Sequence, residues 1–209
     1  MKKRSRKRIV TVTYGKVSYL DSPKRVTFAE LLGTGEYKGR GHFPISAFAK
    51  REDRRSAYIR ESGRATFRGR YPWHNTFLGD NASGIRTFAD IGPGLPGGAP
   101  TTVEAREILP QTTKVMAVDI VGNFDNPDLR GRGIKMLKHS IVDGQLPEPV
   151  DAIRFAQVSR YLTGYERRRA LRNIHSSLPE GGFLMSDNHI YQKTKRGFEL
   201  IALQGVHWI

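Results

Sequence analysis

An α/β fold, with a mainly parallel sheet carrying helices on both faces and a basic N-terminal extension or lid, is predicted by three observations. Short apolar runs alternate with helical patterns four times between residues 85 and 186, and strands joined through such crossovers are parallel. The first run ends in Asp90 and opens into Ile91-Gly92-Pro93-Gly94-Leu95-Pro96-Gly97-Gly98. Glycines there clear side chains from a strand's carboxyl end, where α/β sheets bind ligands. Positive charge is concentrated ahead of this region: residues 1–80 hold 19 of the 35 Lys and Arg but only 7 of the 20 Asp and Glu.

Residues 1–8 contain six cations and are expected to be disordered, because they repel one another and bury nothing. Residues 9–84 are read as the basic extension or lid, and 85–209 as the ligand-binding domain. Within the extension, the β-branched and aromatic residues from Ile9 to Tyr19 predict a strand or hairpin bent at Gly15-Lys16, in a small appendage. Residues 26–32 could form one or two helical turns. Residues 37–75 interleave arginine with aromatics such as Phe43, Tyr58, Phe67, Tyr71 and Trp73. That composition suits an amphipathic lid with the aromatics as core, or a surface for single-stranded nucleic acid. The loop 70–76, carrying Trp73, His74 and Asn75, is expected to lie over the cleft.

Ile85–Asp90 is the first core strand. Thr101 and Glu104 fit a capping box for a helix running to about Leu109, where Pro110 stops it. Lys114–Asp119 is the second strand, apolar through its middle as a strand covered on both faces should be. Residues 122–133 are rich in glycine, proline and asparagine and form a weak crossover. Ile134–His139 and Val150–Phe155 are the third and fourth strands. Thr163 with Glu166 forms a second capping box; Ala170, Leu171, Ile174 and Leu178 stripe the helix that follows, and Pro179-Glu180-Gly181-Gly182 ends it. Phe183–Ser186 and residues 198–203 supply two more strands.

The net charge of +15 favours an anionic partner, with a solubilising basic tail as the plain alternative. The chain has no cysteine, which removes disulfides, thiolate nucleophiles and the usual structural zinc sites, and no HExxH-type pair, so no metal site is expected. No apolar run is long enough to span a bilayer, and the start lacks a signal peptide's apolar core. A cytoplasmic protein with no membrane association is expected; the oligomeric state is not legible.

Gly92, Gly94 and Gly97 follow the first strand and Asp119 ends the second, where a carboxylate can accept both hydroxyl hydrogens of a ribose. Asp90 occupies a position that is apolar in dinucleotide sites, and a carboxylate there would repel a pyrophosphate but suit a cationic amino group. Phe88-Ala89-Asp90-Ile91-Gly92-Pro93-Gly94, Val118-Asp119-Ile120, Ile141–Pro147 with Asp143, and Val150–Ile153 with Leu178–Leu184 are, in this order and spacing, similar to the motifs of class I, Rossmann-like S-adenosylmethionine-dependent methyltransferases. The resemblance covers roughly residues 85–203. It implies S-adenosyl-L-methionine as cofactor, with Asp90, Gly92, Gly94 and Gly97 around its methionine part, Asp119 on the ribose, Ile120 against the adenine and Asp143 on the adenine amino group. Two features depart from the family: the third glycine is displaced by Leu95-Pro96, and residues 188–197 are too few and too polar for the helix usual there, so a trimmed sheet edge is expected.

Gln157, Arg160 and Tyr161 follow the fourth strand, where the cofactor's reactive end is approached; Gln157 is counted with the cofactor-binding residues and Tyr161 with the catalytic ones. Their plain alternative is packing at a helix start. His189, after the fifth strand, and His74 are further candidate bases, each equally readable as a packing or surface histidine. Arg154 is a charge inside an apolar strand, paired with a carboxylate or snorkelling. The function read from this is a methyltransferase with a small-molecule acceptor slightly ahead of RNA. The alternative is a noncatalytic nucleic-acid-binding protein that retains the fold.

Overall fold

The computed structural model describes residues 10–27, 30–31 and 66–208. The expected disordered tail and residues 37–65 of the arginine–aromatic stretch lie outside the described residues. Five parallel strands form the centre: β2 (Thr87–Ile91), β3 (Lys114–Asp119), β4 (Ile134–Lys138), β5 (Ala152–Arg154) and β6 (Phe183–Ser186). With β1 (Val10–Val26), β7 (His189–Thr194) and β8 (Gly197–Trp208), the sheet order is β1-β8-β7-β6-β5-β2-β3-β4. The run β4-β3-β2-β5-β6 reverses direction between β2 and β5, which is the doubly wound, Rossmann-like arrangement with its ligand crevice at the reversal.

Strand alternation sorts the core onto two faces. Ala89, Ile91, Met116, Val118 and Ile153 pack with Ala170, Leu171 and Ile174 of α4 (Gly164–Ser177). Phe88, Val115, Ala117 and Ala152 pack on the other face with Trp73, Phe77 and Leu78 of α1 (Pro72–Asp80), Val103 and Ala105 of α2 (Pro100–Ile108), and Leu129 of α3 (Pro127–Gly131). Helices therefore cover both faces. Among the described residues no helix is long and apolar enough to cross a membrane.

The sheet's far edge is not trimmed. As the composition of 188–197 leads one to expect, no helix forms there: a sharp turn at Asp187 (φ 39°) and Asn188 leads straight into the antiparallel β7–β8 pair. Lys195 and Arg196, on the connecting turn, are exposed, so the polarity that argued against a helix is that of a turn. Nor is the first strand part of an appendage, because β1 pairs antiparallel along β8 and forms the sheet edge. At its end Thr27 and Glu30 bond reciprocally, starting the short helical turn that buries Leu31.

The two capping boxes have different outcomes. Thr163 and Glu166 form theirs completely at the start of α4. At α2 the N-cap is Ala99, in the left-handed region at φ 47° with no side-chain cap, because Thr101 is bonded to Asp90 and Glu104 to the Gly69 amide. The segment 70–76, expected as a loop over the cleft, starts α1, with Trp73 and His74 buried beneath it.

Candidate functional site

A cleft lies at the carboxyl ends of β2, β3 and β4, where α/β sheets bind their ligands. Its floor is Ile91, Gly92 and Val118, and Asp119 and Ile120 follow. One wall is His139, Ser140, Val142 and Asp143 from the turn after β4, and the other is Val158, Tyr161, Leu162 and Glu166 from the approach to α4.

Each wall is held from behind. The His139 ring bonds the Gly144 carbonyl (Nε2 to O, 3.0 Å), closing the turn that carries Asp143. Asn173 of α4 donates to the Ile141 carbonyl (2.7 Å), tying that turn to the helix. Asp119 is buried, and its Oδ1 accepts the Ile120 amide (2.8 Å) and the Val121 amide (3.3 Å), while Oδ2 takes the Leu95 amide (3.4 Å). A carboxylate has about four acceptor positions, so it can organise the loop and still meet a ligand hydroxyl. The Tyr161 hydroxyl accepts from Arg160 Nη2 (2.9 Å), fixing the ring on the cleft wall.

The loop after β2 is shaped by chain geometry. Gly92 and Gly94 have φ of 67° and 75°, which glycine adopts without a steric penalty, and the Gly92 amide donates to the Val118 carbonyl (2.8 Å). Of the glycines expected around the cofactor, only Gly92 lines the cleft. Gly94 is buried, and Gly97 is exposed on the turn over Leu95–Gly97, because Leu95 turns into the core on the α2 face. Gly122 accommodates that leucine: it sits at φ 136°, and an added Cβ would meet Leu95 Cβ at 2.5 Å. Gly122→Ala is expected to cost about 1–3 kcal/mol, the scale of overpacking and backbone strain, read as a lower urea midpoint.

Asp90 corrects the sequence reading most sharply. Alternation along β2 directs it to the α2 face with Phe88, whereas the neighbouring Ile91 faces the cleft, and Asp90 does not line that cleft. Its carboxylate accepts from Arg154 Nε (3.0 Å) and Nη2 (2.5 Å) and from the hydroxyls of Thr101 and Thr102 (both 2.9 Å). This buried ion pair is formed because Asp90 and Arg154 are register partners on adjacent strands. Arg154 is fully buried, donates also to the Thr101 carbonyl (2.6 Å) and Asn75 Oδ1 (3.3 Å), and lies 5.5 Å from the ring centroids of both Tyr71 and Phe88. Asp90 thus places negative charge beneath the first turn of α2, where the helix dipole favours it.

The remaining site residues are dispersed. Gln157, in the left-handed region at φ 62°, donates from Nε2 and its amide to Asp187 Oδ1 (both 2.8 Å) and accepts from Arg160. It braces the β5 and β6 ends and does not line the cleft. His189 is stacked near Tyr191 on β7, also away from the cleft lining, and its pKa is lowered by desolvation. His74 is sealed under Tyr71 and Trp73, and neither ring nitrogen makes a well-formed hydrogen bond. Of the three candidate catalytic residues, only Tyr161 faces the cleft. His139, Ser140, Val158 and Glu166 are lining residues that sequence reasoning misses; the available signal is their position after β4 and β5, at carboxyl ends.

Desolvation first, and the Arg154 charge second, hold the His74 ring well below its ordinary value of 6.5. The unfolded ring binds a proton below about pH 6.5 that the folded ring refuses, so this contribution to stability is complete above that pH and is lost as pH falls below it. His74→Phe is therefore expected to flatten the fall in urea midpoint between pH 7.5 and 5.5. Parallel falls in wild type and variant would refute that assignment.

No family model matches the chain, and no curated protein matches it. Among solved structures, the N-methyltransferase NodS from Bradyrhizobium japonicum WM9, in complex with S-adenosyl-L-homocysteine, is similar at 19% identity and a TM-score of 0.43, over 64% of this chain and 71% of that one. Coclaurine N-methyltransferase, bound to N-methylheliamine and S-adenosyl-L-homocysteine, is similar at 18% identity and 0.43, over 54% and 34%. StiE O-MT matches at 19% and 0.41, over 50% and 38%. The chain therefore spans less than half the length of the latter two, and similarity at this level carries nothing about activity.

Proposed function

We propose that the cleft binds S-adenosyl-L-methionine and that the chain is a methyltransferase. The observation that carries this is the charge of the cleft: among the described residues its lining includes Asp119, Asp143 and Glu166 and neither lysine nor arginine. A pyrophosphate would meet three carboxylates there, and the first turn of α2, beside the usual phosphate seat, turns its Thr101 and Thr102 hydroxyls to Asp90. A nucleoside ligand bearing positive charge suits the same surroundings. The residues fit such a group: Asp119 for the ribose hydroxyls, Ile120 and Val142 for the faces of the adenine, Asp143 for its amino group, and Ile91 and Gly92 beneath the methionine part. Asp90 acts from behind the loop, so the amino group is met at the cleft surface and not by that carboxylate.

The cofactor, when bound, supplies an electrophilic methyl group on a sulfonium. Transfer needs an acceptor aligned with that methyl and water kept away, which the apolar Val158 and Leu162 and the clamped Tyr161 ring provide. The acceptor is read as a small metabolite slightly ahead of RNA. The test is transfer of labelled methyl from S-adenosylmethionine into metabolite, RNA and protein fractions. Label in the metabolite fraction, lost in Asp119→Ala, is expected; cofactor binding with no transfer into any fraction would overturn the catalytic reading.

A further inference from the structure

One face of α4 is a cationic stripe headed by an exposed aromatic ring. Tyr165 is 69% exposed, Arg168 and Arg172 are exposed and Arg169 is partly so. Their spacing of three and four residues places them on one side of the helix. The Arg169 guanidinium lies 5.9 Å from the Tyr165 ring centroid. The acid of this helix, Glu166, is folded back onto Thr163 in the capping box. Among the described residues no ion pair reaches Arg168, Arg169 or Arg172. The exposed face of a stable helix ordinarily alternates sign, since like charges at i,i+3 and i,i+4 repel; this one keeps Arg168 and Arg169 opposed to Arg172. The stripe is extended at its far end, where His175 bonds the Thr194 carbonyl (3.1 Å) beside the turn bearing the exposed Lys195 and Arg196. At its near end, the first turn of α4 contributes Glu166 to the cleft mouth.

We infer that this face binds single-stranded nucleic acid. The arginines pair with successive phosphates and Tyr165 stacks on a base, the combination by which single strands are held without reading sequence. A duplex would offer phosphates but no open base for Tyr165, and an anionic membrane surface would use the charge and leave the ring without a stacking partner. The inference is independent of the methyl-donor reading, because the stripe lies outside the residues assigned to the cofactor.

The test is fluorescence anisotropy of the full chain with a labelled 20-nucleotide oligouridine across a salt series. Wild type is expected to bind with a salt-dependent affinity. Arg168→Gln/Arg172→Gln is expected to weaken binding about tenfold and to flatten the slope of log K against log salt by roughly 1.4, about 0.7 for each phosphate no longer neutralised. Arg168→Lys/Arg172→Lys should keep the slope. Tyr165→Ala should weaken binding about tenfold at unchanged slope, since stacking releases no counterions. All these positions are on the solvent side of α4, and circular dichroism verifies that each variant is folded. Unchanged affinity and slope in the folded double glutamine variant would overturn the inference, as would binding to phosphatidylserine vesicles without binding to oligouridine.

Discussion

Arg154→Met is expected to lower the free energy of unfolding by about 3–5 kcal/mol, the cost of leaving a buried carboxylate without its counter-ion. The geometry explains the size of the effect. Arg154 is fully buried, and its guanidinium joins Asp90, the Thr101 carbonyl and Asn75. Asn75 in turn donates to Glu104, whose other oxygen accepts the Gly69 amide. One side chain therefore connects β2, β5, α1 and α2. The double variant Arg154→Met/Asp90→Asn removes the stranded charge and should recover part of the loss in urea denaturation. If the single variant is as stable as wild type, the buried pair is not formed as described.

Asp119→Ala should weaken S-adenosylmethionine binding about 10- to 100-fold, roughly 1–3 kcal/mol, the scale of buried hydrogen-bond partners left unmet. Two losses combine in that figure. The ligand's ribose hydroxyls lose their acceptor, and the amides of Ile120 and Val121 lose theirs, which loosens the loop that presents Ile120 to the cleft. Calorimetry on the folded variant measures the sum, and unchanged affinity would remove Asp119 from the site.

What is legible in the sequence follows from the range over which each signal acts. Lys114–Asp119 and Phe183–Ser186 are strands at the expected residues, because a strand covered on both faces declares itself by a continuous apolar run. The Thr163–Glu166 box is local and forms as read. The identical pattern at Thr101–Glu104 is overridden by distant residues: Asp90 takes the threonine hydroxyl, and Gly69 and Asn75 take the glutamate. The Asp90–Arg154 pair spans 64 residues and becomes visible only once β5 is known to lie beside β2. Arg154 itself is anomalous in its apolar strand, and a carboxylate partner is one of the readings its sequence leaves open. The edge strand β1 is likewise readable as a strand but not as the partner of β8, since nothing local encodes a pairing between segments so far apart in the chain.

The cleft is partly legible for the same reason. Asp119, Ile120, Asp143 and Gly92 stand at strand ends, where topology alone predicts a site, and all four line it. Position before the glycines is what suggests the cleft for Asp90. The period of two along β2 gives it to the opposite face, and that parity can be counted from Phe88 and Ile91.

A cleft with three carboxylates should accept a nucleoside carrying positive charge in place of one carrying phosphate. Isothermal titration of the full chain with S-adenosylmethionine and, separately, with NAD⁺ tests it most directly. Saturable binding of S-adenosylmethionine with none of NAD⁺ is the predicted result; binding of NAD⁺ in its place, or of neither, would contradict it.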